Sequence, residues 1–152
     1  MLTAGVAAFR SIGATTWTLH CLPWLARAYG QLGRSDEASH CINEALALIE
    51  EGNQRSMEAE CHRVAGELLH ALAMPQQKKG EEHFVHAITV ARQQQAKSWD
   101  LRASMSLARL WRDQGSVQQA RELLAPVYGW FTDGFDTRDL KEATALLREL
   151  AA

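Results

Sequence analysis

Three cysteines recur at intervals of 20 residues, each with a histidine beside it, which raises the question of a metal site. The residues are Cys21, Cys41 and Cys61, with His20, His40 and His62. Zinc sites usually bring their ligands in close pairs such as Cys-x2-Cys. On a helix, adjacent side chains point about 100° apart. The spacing therefore predicts buried thiols that act as small hydrophobic side chains and no metal site.

Catalytic motifs are absent from the sequence. It contains no glycine-rich phosphate loop, no Gly-x-Ser-x-Gly and no His-Glu-x-x-His. The acidic pairs at 50–51 and 81–82 fall at predicted helix ends, where they indicate solvated charge. Since no set of acid and base residues converges, we expect no enzyme activity and no cofactor.

Composition limits the class of partner. The 152 residues are 47% hydrophobic and 22% charged, with a net charge of −2, which is ordinary for a folded soluble domain. This charge gives no overall attraction to nucleic acid or anionic lipid. An odd number of cysteines without tight spacing indicates reduced thiols, and no apolar run reaches membrane-spanning length. We expect a cytoplasmic protein without a nucleic-acid or membrane partner.

The elements that position these residues follow from an internal repeat. The chain matches itself at a shift of 82 residues, and a looser copy lies between the two, so the unit is about 41 residues, a period typical of stacked helical hairpins. The matched pairs are Trp17 and Trp99, Leu25 and Leu107, Ala26 and Ala108, Arg27 and Arg109, Gly33 and Gly115, Ala38 and Ala120, and Gly52 and Gly134.

Glycine and capping residues divide each unit into two helices. In the first unit, a helix over 15–32 ends at Gly33, and Ser35 begins the next helix with acids in its first turn. In the third unit, Gly115 ends a helix and Ser116 begins another, with Gln119 at capping-box spacing. In the middle unit, the polar run 74–79 predicts a surface loop, after which the second helix starts at Gly80.

The two ends of the chain differ from the repeat interior. Residues 1–12 align with the second helix of a unit, so we expect the chain to be the tail of a longer array, with an apolar edge at Leu2, Val6 and Phe9. At the other end, Asp136 or Thr137 begins a helix through residue 150 with one apolar and one polar side. A polar outer face is typical of a terminal cap, so we expect the natural C-terminus here.

The first unit resembles a tetratricopeptide repeat. The consensus W-x2-L-G-x2-Y…A-x3-F is matched at Leu22, Leu25, Ala26, Tyr29, Gly33, Ala38, Ile42 and Ala45. The chain departs from this pattern in its longer period, in lacking the terminal proline and in placing Pro23 inside the first helix, which predicts a kink or a late helix start.

The segments 96–111 and 125–137 are similar to the C-terminal repeats of large bacterial regulators. Those proteins place an adenylate or guanylate cyclase domain, or a DNA-binding domain, and a signalling ATPase ahead of the array. The resemblance implies a regulatory role, although the cyclase and ATPase motifs are absent from this chain.

Together these features predict an all-α fold, a right-handed α-solenoid of antiparallel helix hairpins that resembles tetratricopeptide arrays. We expect a single domain over 1–152 with about three repeats and a C-terminal capping helix. Its parts are a truncated second helix at 1–12, repeats at 15–52, 54–96 and 97–133, and the capping helix at 136–150.

Such arrays bind through the groove lined by first helices, and the side chains that face it lie off the packing stripe. The predicted partner-binding set is His20, Arg27, Gln31, His62, His70, Arg102, Met105, Arg109 and Arg112. It holds four arginines, three histidines and no carboxylate. Because arginine suits carboxylates, we expect a protein or peptide partner that is acidic or is bound through its C-terminal carboxylate. The alternative is that these residues bind no partner and form a solvated helix face.

Other interpretations remain open from sequence alone. The apolar edge at the N-terminus could pair two copies as a homodimer, and the groove could hold a small ligand as a sensor. His83 and His86, with Glu82, share a helix face, but on a second helix they predict a plain surface patch.

The aromatic residues favour packing roles. Trp17 and Trp99 occupy equivalent positions and Trp111 replaces Tyr29, so we expect all three to pack in the interior. The segment with Trp130, Phe131 and Phe135 lies where the last repeat meets the cap and is expected to hold that helix in place. Any exposed part of that segment would form an association patch.

Overall fold

A computed structural model describes residues 2–52, 54–71 and 76–152, with the side chain of residue 2 left out. These residues form α-helices and one short 3-10 helix, and no strand occurs among them. The helices are α1 (Leu2–Ser11), α2 (Thr15–Gln31), α3 (Ser35–Gly52), α4 (Glu58–His70), α5 (Gln76–Gln93), α6 (Lys97–Asp113), α7 (Val117–Tyr128) and α8 (Arg138–Ala151), and the 3-10 turn is Arg55–Met57. The predicted all-α class is confirmed.

Each helix packs against the next in sequence, and the even-numbered helices also pack against one another. Besides the consecutive pairs, α2 contacts α4, α4 contacts α6, and α6 contacts α8. The equivalent residues Leu25 and Leu107, like Ala26 and Ala108, are buried. The helix pairs α2–α3, α4–α5 and α6–α7 fall within the three predicted repeats, and α8 falls at the predicted cap.

Three tight turns share one backbone geometry that ends a helix and starts the next. Gly13, Gly33 and Gly115 have φ of +67°, +71° and +85°, in the left-handed region that glycine adopts without a Cβ clash. After Gly33, for example, the Arg34 N–H donates to the Tyr29 carbonyl oxygen at 2.9 Å. The turn before α6 has the same bond from Ala96 to Ala91 at 2.8 Å, but its left-handed residue is Gln95, with φ of +55°.

The predicted side-chain caps do not form. Ser116 and Thr137 occupy the N-cap positions of α7 and α8, and neither side chain makes a capping hydrogen bond. The residues that precede α2 and α6 are alanines with backbone angles close to those of Ser116. Helices α2, α6 and α7 therefore start from the turn geometry itself, whereas Thr137 before α8 is extended, and Ser35 is already the first residue of α3.

One predicted helix start is wrong, and of the two alternatives predicted for Pro23 the late helix start is excluded. The polar residues 76–79, predicted as loop, form the first turn of α5, since polar side chains on a solvent-facing turn do not prevent helix formation. The rest of that predicted loop, 74–75, lies outside the described residues. Pro23 does not delay α2, which begins at Thr15 and carries Pro23 as a buried interior residue.

The environments of the two equivalent tryptophans differ. Trp99 packs against Ala59, Val90 and Ala91, as predicted, whereas Trp17 is 61% exposed and is not an interior residue. The reason is positional: α6 has α4 beside it, and among the described residues no helix takes the corresponding place beside α2. Trp17 stacks on Phe9, with ring centroids 6.2 Å apart, and its ring lies 6.4 Å from that of His20.

The predicted apolar edge at the N-terminus is partly covered. Val6 is 1% exposed and belongs to the same core cluster as Leu19 and Leu22, because the packing of α1 on α2 turns this side chain inward. Phe9 is half-buried. The side chain of Leu2, the third residue of the predicted edge, is not among those that the structure describes. Among the large apolar side chains that the structure describes at this end, Ile12 is the most exposed, at 75%.

The segment before the cap has a mixed role. Phe131 packs against the core cluster of α6, α7 and α8, as expected for a residue that holds the last helix. Trp130 and Phe135 are 43% and 46% exposed. Trp111 is half-buried, and its indole N–H donates to Glu81 Oε1 at 2.8 Å.

None of the helices among the described residues is both long and apolar enough to cross a bilayer.

Candidate functional site

The four even-numbered helices line one concave surface, which we call the arginine groove, with a volume of about 120 Å³. Each helix contributes at least two residues. The lining consists of Trp24 and Arg27 from α2, Arg63 and Glu67 from α4, Arg102, Met105 and Arg109 from α6, and Arg138, Asp139 and Glu142 from α8.

Of the nine residues predicted to bind a partner, this groove brings together Arg27, Arg102, Met105 and Arg109. Met105 is only 2% exposed and packs in the core of α6, α7 and α8, so it forms the floor and offers little contact. Arg112 lies one turn beyond Arg109 on α6 and pairs with Asp113 and Glu149.

The other four predicted residues are not part of the groove lining. His20 Nδ1 lies 2.8 Å from the carbonyl oxygen of Thr16 on its own helix. Gln31 is exposed at the last residue of α2, and His70 Nε2 lies 3.7 Å from Asp113 Oδ2. His62 contacts histidines of α5.

The groove also contains carboxylates, which the predicted set of nine residues does not include. Glu67 forms an ion pair with Arg27 across the α2–α4 contact, with Nε and Oε2 3.5 Å apart. Across the α6–α8 contact, Arg102 Nε donates to Asp139 Oδ2 at 2.6 Å, and Arg109 Nη2 donates to Glu142 Oε2 at 3.2 Å. Asp139 and Glu142 come from α8, which adds a fourth wall beyond the first helices of the three units, whereas Glu67 belongs to α4, the first helix of the middle unit.

A buried ion pair anchors the middle of the groove. Arg63 and Glu60 are 5% and 1% exposed, and both Nε and Nη2 of Arg63 donate to Glu60 at 2.7 Å. Arg63 also pairs with Glu67, whose Oε1 accepts from Ser106 of α6 at 3.3 Å. Burial by itself would lower the pKa of Arg63, but the hydrogen bonds and charges of the two glutamates outweigh burial and raise that pKa.

Glu142 is shared by two arginines at the α8 side. Arg138 Nε donates to Glu142 Oε1 at 2.7 Å, and Arg109 donates to the other carboxylate oxygen. The hydrogen bond from Arg138 is the main reason that the pKa of Glu142 lies below its ordinary value, with Arg109 adding to the effect. This carboxylate is therefore ionised at neutral pH.

The groove retains an excess of positive charge. Its lining holds five arginines and three carboxylates, and the buried Glu60 carboxylate that pairs with Arg63 reduces the excess to one positive charge. Indole rings flank two of these guanidinium groups, Arg27 at 5.9 Å from the centroid of Trp24 and Arg102 at 5.1 Å from that of Trp99. Such stacking holds a guanidinium plane while leaving its N–H edge available.

A second polar cluster lies where α4 meets α5. His62 Nδ1 and His83 Nδ1 are 2.9 Å apart, and the His62 ring centroid lies 4.1 Å from that of His86. Glu58 lies one turn before His62 and accepts from Arg55 Nε at 2.8 Å. Burial, with smaller effects from His86 and His83, lowers the pKa of His62 to about 4, and burial likewise lowers that of His83.

The sequence had paired His83 and His86 with Glu82 on one helix. The structure instead brings Glu58 and His62 of α4 to them. The signal that sequence reasoning missed is the i, i+4 spacing of Glu58 and His62, which puts both on one face of α4.

The cysteines lie apart from this cluster. Cys41 and Cys61 are buried free thiols and Cys21 is half-buried. Burial raises the pKa of Cys61 to about 12, which keeps this thiol protonated and unreactive.

No protein-family model matches the sequence, and no curated protein matches it either.

Proposed function

We propose that this chain is a non-catalytic protein-interaction module whose arginine groove binds an acidic peptide segment. The observation that carries the proposal is the convergence of five arginines from four helices on one concave surface that holds three carboxylates. With Glu60, the partner of Arg63, counted as well, the groove keeps an excess of one positive charge, in contrast to a chain whose net charge is −2. A ligand carboxylate would therefore meet local positive charge here.

The proposed architecture is a right-handed solenoid of antiparallel hairpins with α8 as the cap. Its support is the row of contacts α2–α4, α4–α6 and α6–α8, since a stack of hairpins places equivalent helices side by side. The recurrence of the same turn at Gly33 and Gly115, 82 residues apart, gives a second support. In such a stack the even-numbered helices form the inner wall, where groove ligands bind.

The internal ion pairs leave donors available. Arg27, Arg102 and Arg109 are 30–36% exposed at their side chains. Each guanidinium carries five N–H donors, and the Arg27–Glu67 contact is long at 3.5 Å. Exposed pairs of this kind contribute about 0–1 kcal/mol, so a ligand carboxylate can replace or share them at small cost.

The resemblance to the C-terminal repeats of bacterial regulators extends this proposal to a regulatory role. In that role the acidic segment would belong to another domain or protein whose activity the module controls. The peptide experiment below addresses the binding step and is independent of the regulatory extension.

A titration of the full chain with a short polyglutamate peptide at low salt tests the groove, with calorimetry as the readout. We expect Arg27→Glu and Arg109→Glu each to weaken binding by about 10-fold or more, because a hydrogen bond to a charged group contributes roughly 1.5–3 kcal/mol. The matched control is Arg121→Glu on the exposed face of α7, which makes the same charge change outside the groove lining.

If all three variants have the circular dichroism spectrum of the wild type and bind the peptide equally well, the groove is not the peptide-binding site. A C-terminally amidated peptide distinguishes recognition of acidic side chains from recognition of the C-terminal carboxylate. If the groove binds the C-terminal carboxylate, amidation should remove most of the affinity.

A second candidate function is self-association through the α1–α2 end. Ile12 and Trp17 are 75% and 61% exposed there, although Val6 is covered. If this end pairs two copies, sedimentation will show a concentration-dependent dimer that Trp17→Ser abolishes. A wild-type monomer at every concentration would remove this candidate.

A further inference from the structure

Helices α4 and α5 approach closely because small residues line their crossing. A Cβ atom built on Gly66 would lie 2.5 Å from Phe84 Cε1 and 2.9 Å from the Gly80 carbonyl oxygen. Only glycine at position 66 permits this separation. One turn away, the same crossing brings Glu58 and His62 of α4 against His83 and His86 of α5.

We propose that Glu58, His62 and His86 bind a divalent transition-metal ion, with Zn²⁺ as the best fit, and that His83 orients His62. One ligand atom from each of the first three residues lies within 4.8 Å of the others. His86 Nε2 and Glu58 Oε1 are 3.7 Å apart. The His62 and His86 ring centroids are 4.1 Å apart.

These separations are close to what zinc requires. A tetrahedral ion with bonds of about 2.1 Å places its ligand atoms about 3.4 Å apart. The His86–Glu58 pair already meets that distance to within a few tenths of an ångström. Closing the widest pair, at most 4.8 Å apart, requires an approach of at most about 1.4 Å, which side-chain torsions supply.

His83 has the place of an outer partner. With His62 Nδ1 at 2.9 Å from His83 Nδ1, the nitrogen of His62 left for a metal is Nε2. Metal-bound histidines regularly engage their second ring nitrogen in this way, which fixes the ring orientation. The arrangement therefore supplies three ligands and one positioning residue from two helices.

The donor set determines the class of ion. Two imidazoles and one carboxylate suit Zn²⁺, Co²⁺, Ni²⁺ or Cu²⁺, whereas Mg²⁺ and Ca²⁺ prefer oxygen ligands. The cluster borders a surface cavity of about 470 Å³, which is also lined by Leu46, Ile49 and Glu50. This cavity gives an ion a path from solvent and leaves room for water at a fourth position.

Arg55 competes with the ion for Glu58. Its Nε and Nη2 donate to the two Glu58 oxygens at 2.8 and 3.1 Å, and its side chain is 66% exposed. An incoming cation must displace this guanidinium from at least one oxygen. Removal of the Arg55 charge therefore strengthens metal binding, an effect opposite in direction to removal of a ligand.

The experiment is a calorimetric titration of the tag-free, chelator-treated full chain with Zn²⁺ alone. We expect one Zn²⁺ site in the wild type. His86→Ala should lower the Zn²⁺ affinity by at least about 10-fold, and His83→Ala should lower it by roughly 10–100-fold, as for other residues that hydrogen-bond a metal ligand. The His86 side chain is 51% exposed, so this change leaves the core intact. His40→Ala, at an exposed histidine of α3, is the matched control, and Arg55→Gln should bind more tightly than the wild type.

Thermal unfolding gives a second readout, since Zn²⁺ should raise the melting temperature of the wild type and of His40→Ala but not of His86→Ala. Absence of Zn²⁺ binding by the wild type would overturn the proposal. So would binding that His86→Ala leaves unchanged, binding that His40→Ala weakens equally, or an equal response to Mg²⁺.

Discussion

Replacing Gly66 by alanine tests the close crossing of α4 and α5 because the added methyl group has no space. Its Cβ would lie 2.5 and 2.6 Å from two ring carbons of Phe84 and 2.9 Å from the Gly80 carbonyl oxygen, whereas ordinary carbon contacts are about 3.5–4.0 Å. The Phe84 ring is 1% exposed and cannot turn toward solvent. The carbonyl belongs to the backbone, so the helices themselves must separate.

The expected cost follows from two opposing terms. Overpacking of a buried site costs about 1–3 kcal/mol, and the rigidity of both neighbours places this site in the upper part of that range. Alanine is favoured over glycine inside a helix by about 1 kcal/mol. We therefore expect Gly66→Ala to lower the free energy of unfolding by about 1–2 kcal/mol.

Urea unfolding followed by far-ultraviolet circular dichroism measures this change, with Gly5→Ala as the matched control. A Cβ on Gly5 would meet no atom within 4 Å, so this variant should gain about 0.5–1 kcal/mol from helix propensity alone. If Gly66→Ala were as stable as the wild type while Gly5→Ala gained stability, the crossing would be looser than described and the reasoning refuted.

Three further predictions concern strain, buried charge and pH. Gln95→Gly should raise the free energy of unfolding by up to about 1 kcal/mol, because φ of +55° strains a residue with a Cβ. Gly115→Ala, at φ of +85°, should lower the free energy of unfolding by about as much. Effects of the same sign in both variants would contradict this prediction. Glu60→Gln should cost about 1.5–3 kcal/mol in urea unfolding, because buried Arg63 loses charged hydrogen-bond partners and keeps only Glu67 as a carboxylate partner. A change within experimental error would contradict this prediction. Glu142 has a depressed pKa in the folded protein, so it contributes stability above its unfolded pKa, and this stability is lost as the pH falls through its folded pKa. The difference in unfolding free energy between the wild type and Glu142→Gln should therefore shrink to zero on acidification. A difference that grows on acidification would contradict this prediction.

The helical class was predictable because its signals are local. Apolar spacing at Leu22, Leu25 and Ala26, followed by Gly33, determines one helix and its end without reference to the rest of the chain. The start of α5 was missed because its first turn is polar, and polarity indicates exposure rather than loop. Gln95 was missed because sequence patterns mark left-handed turns by glycine.

The site was less predictable because it depends on contacts between helices. Arg27 and Arg109 share a repeat position, and both line the groove as expected. Their partners Glu67 and Glu142 come from neighbouring helices, and no spacing within one helix indicates such pairs. The different exposure of Trp17 and Trp99 has the same origin, since equal repeat positions give equal surroundings only where both have equivalent neighbours.

The proposed binding function is tested most directly by mapping a bound acidic peptide onto the protein by nuclear magnetic resonance. The Nε–H signals of Arg27, Arg102 and Arg109 report from the groove, and that of Arg121 reports from outside it. We expect the shifts to be confined to the three groove arginines and to the backbone amides of α2, α4, α6 and α8. Shifts concentrated on α3, α5 and α7, or no shift at saturating peptide, would contradict the assignment of the groove as the binding site.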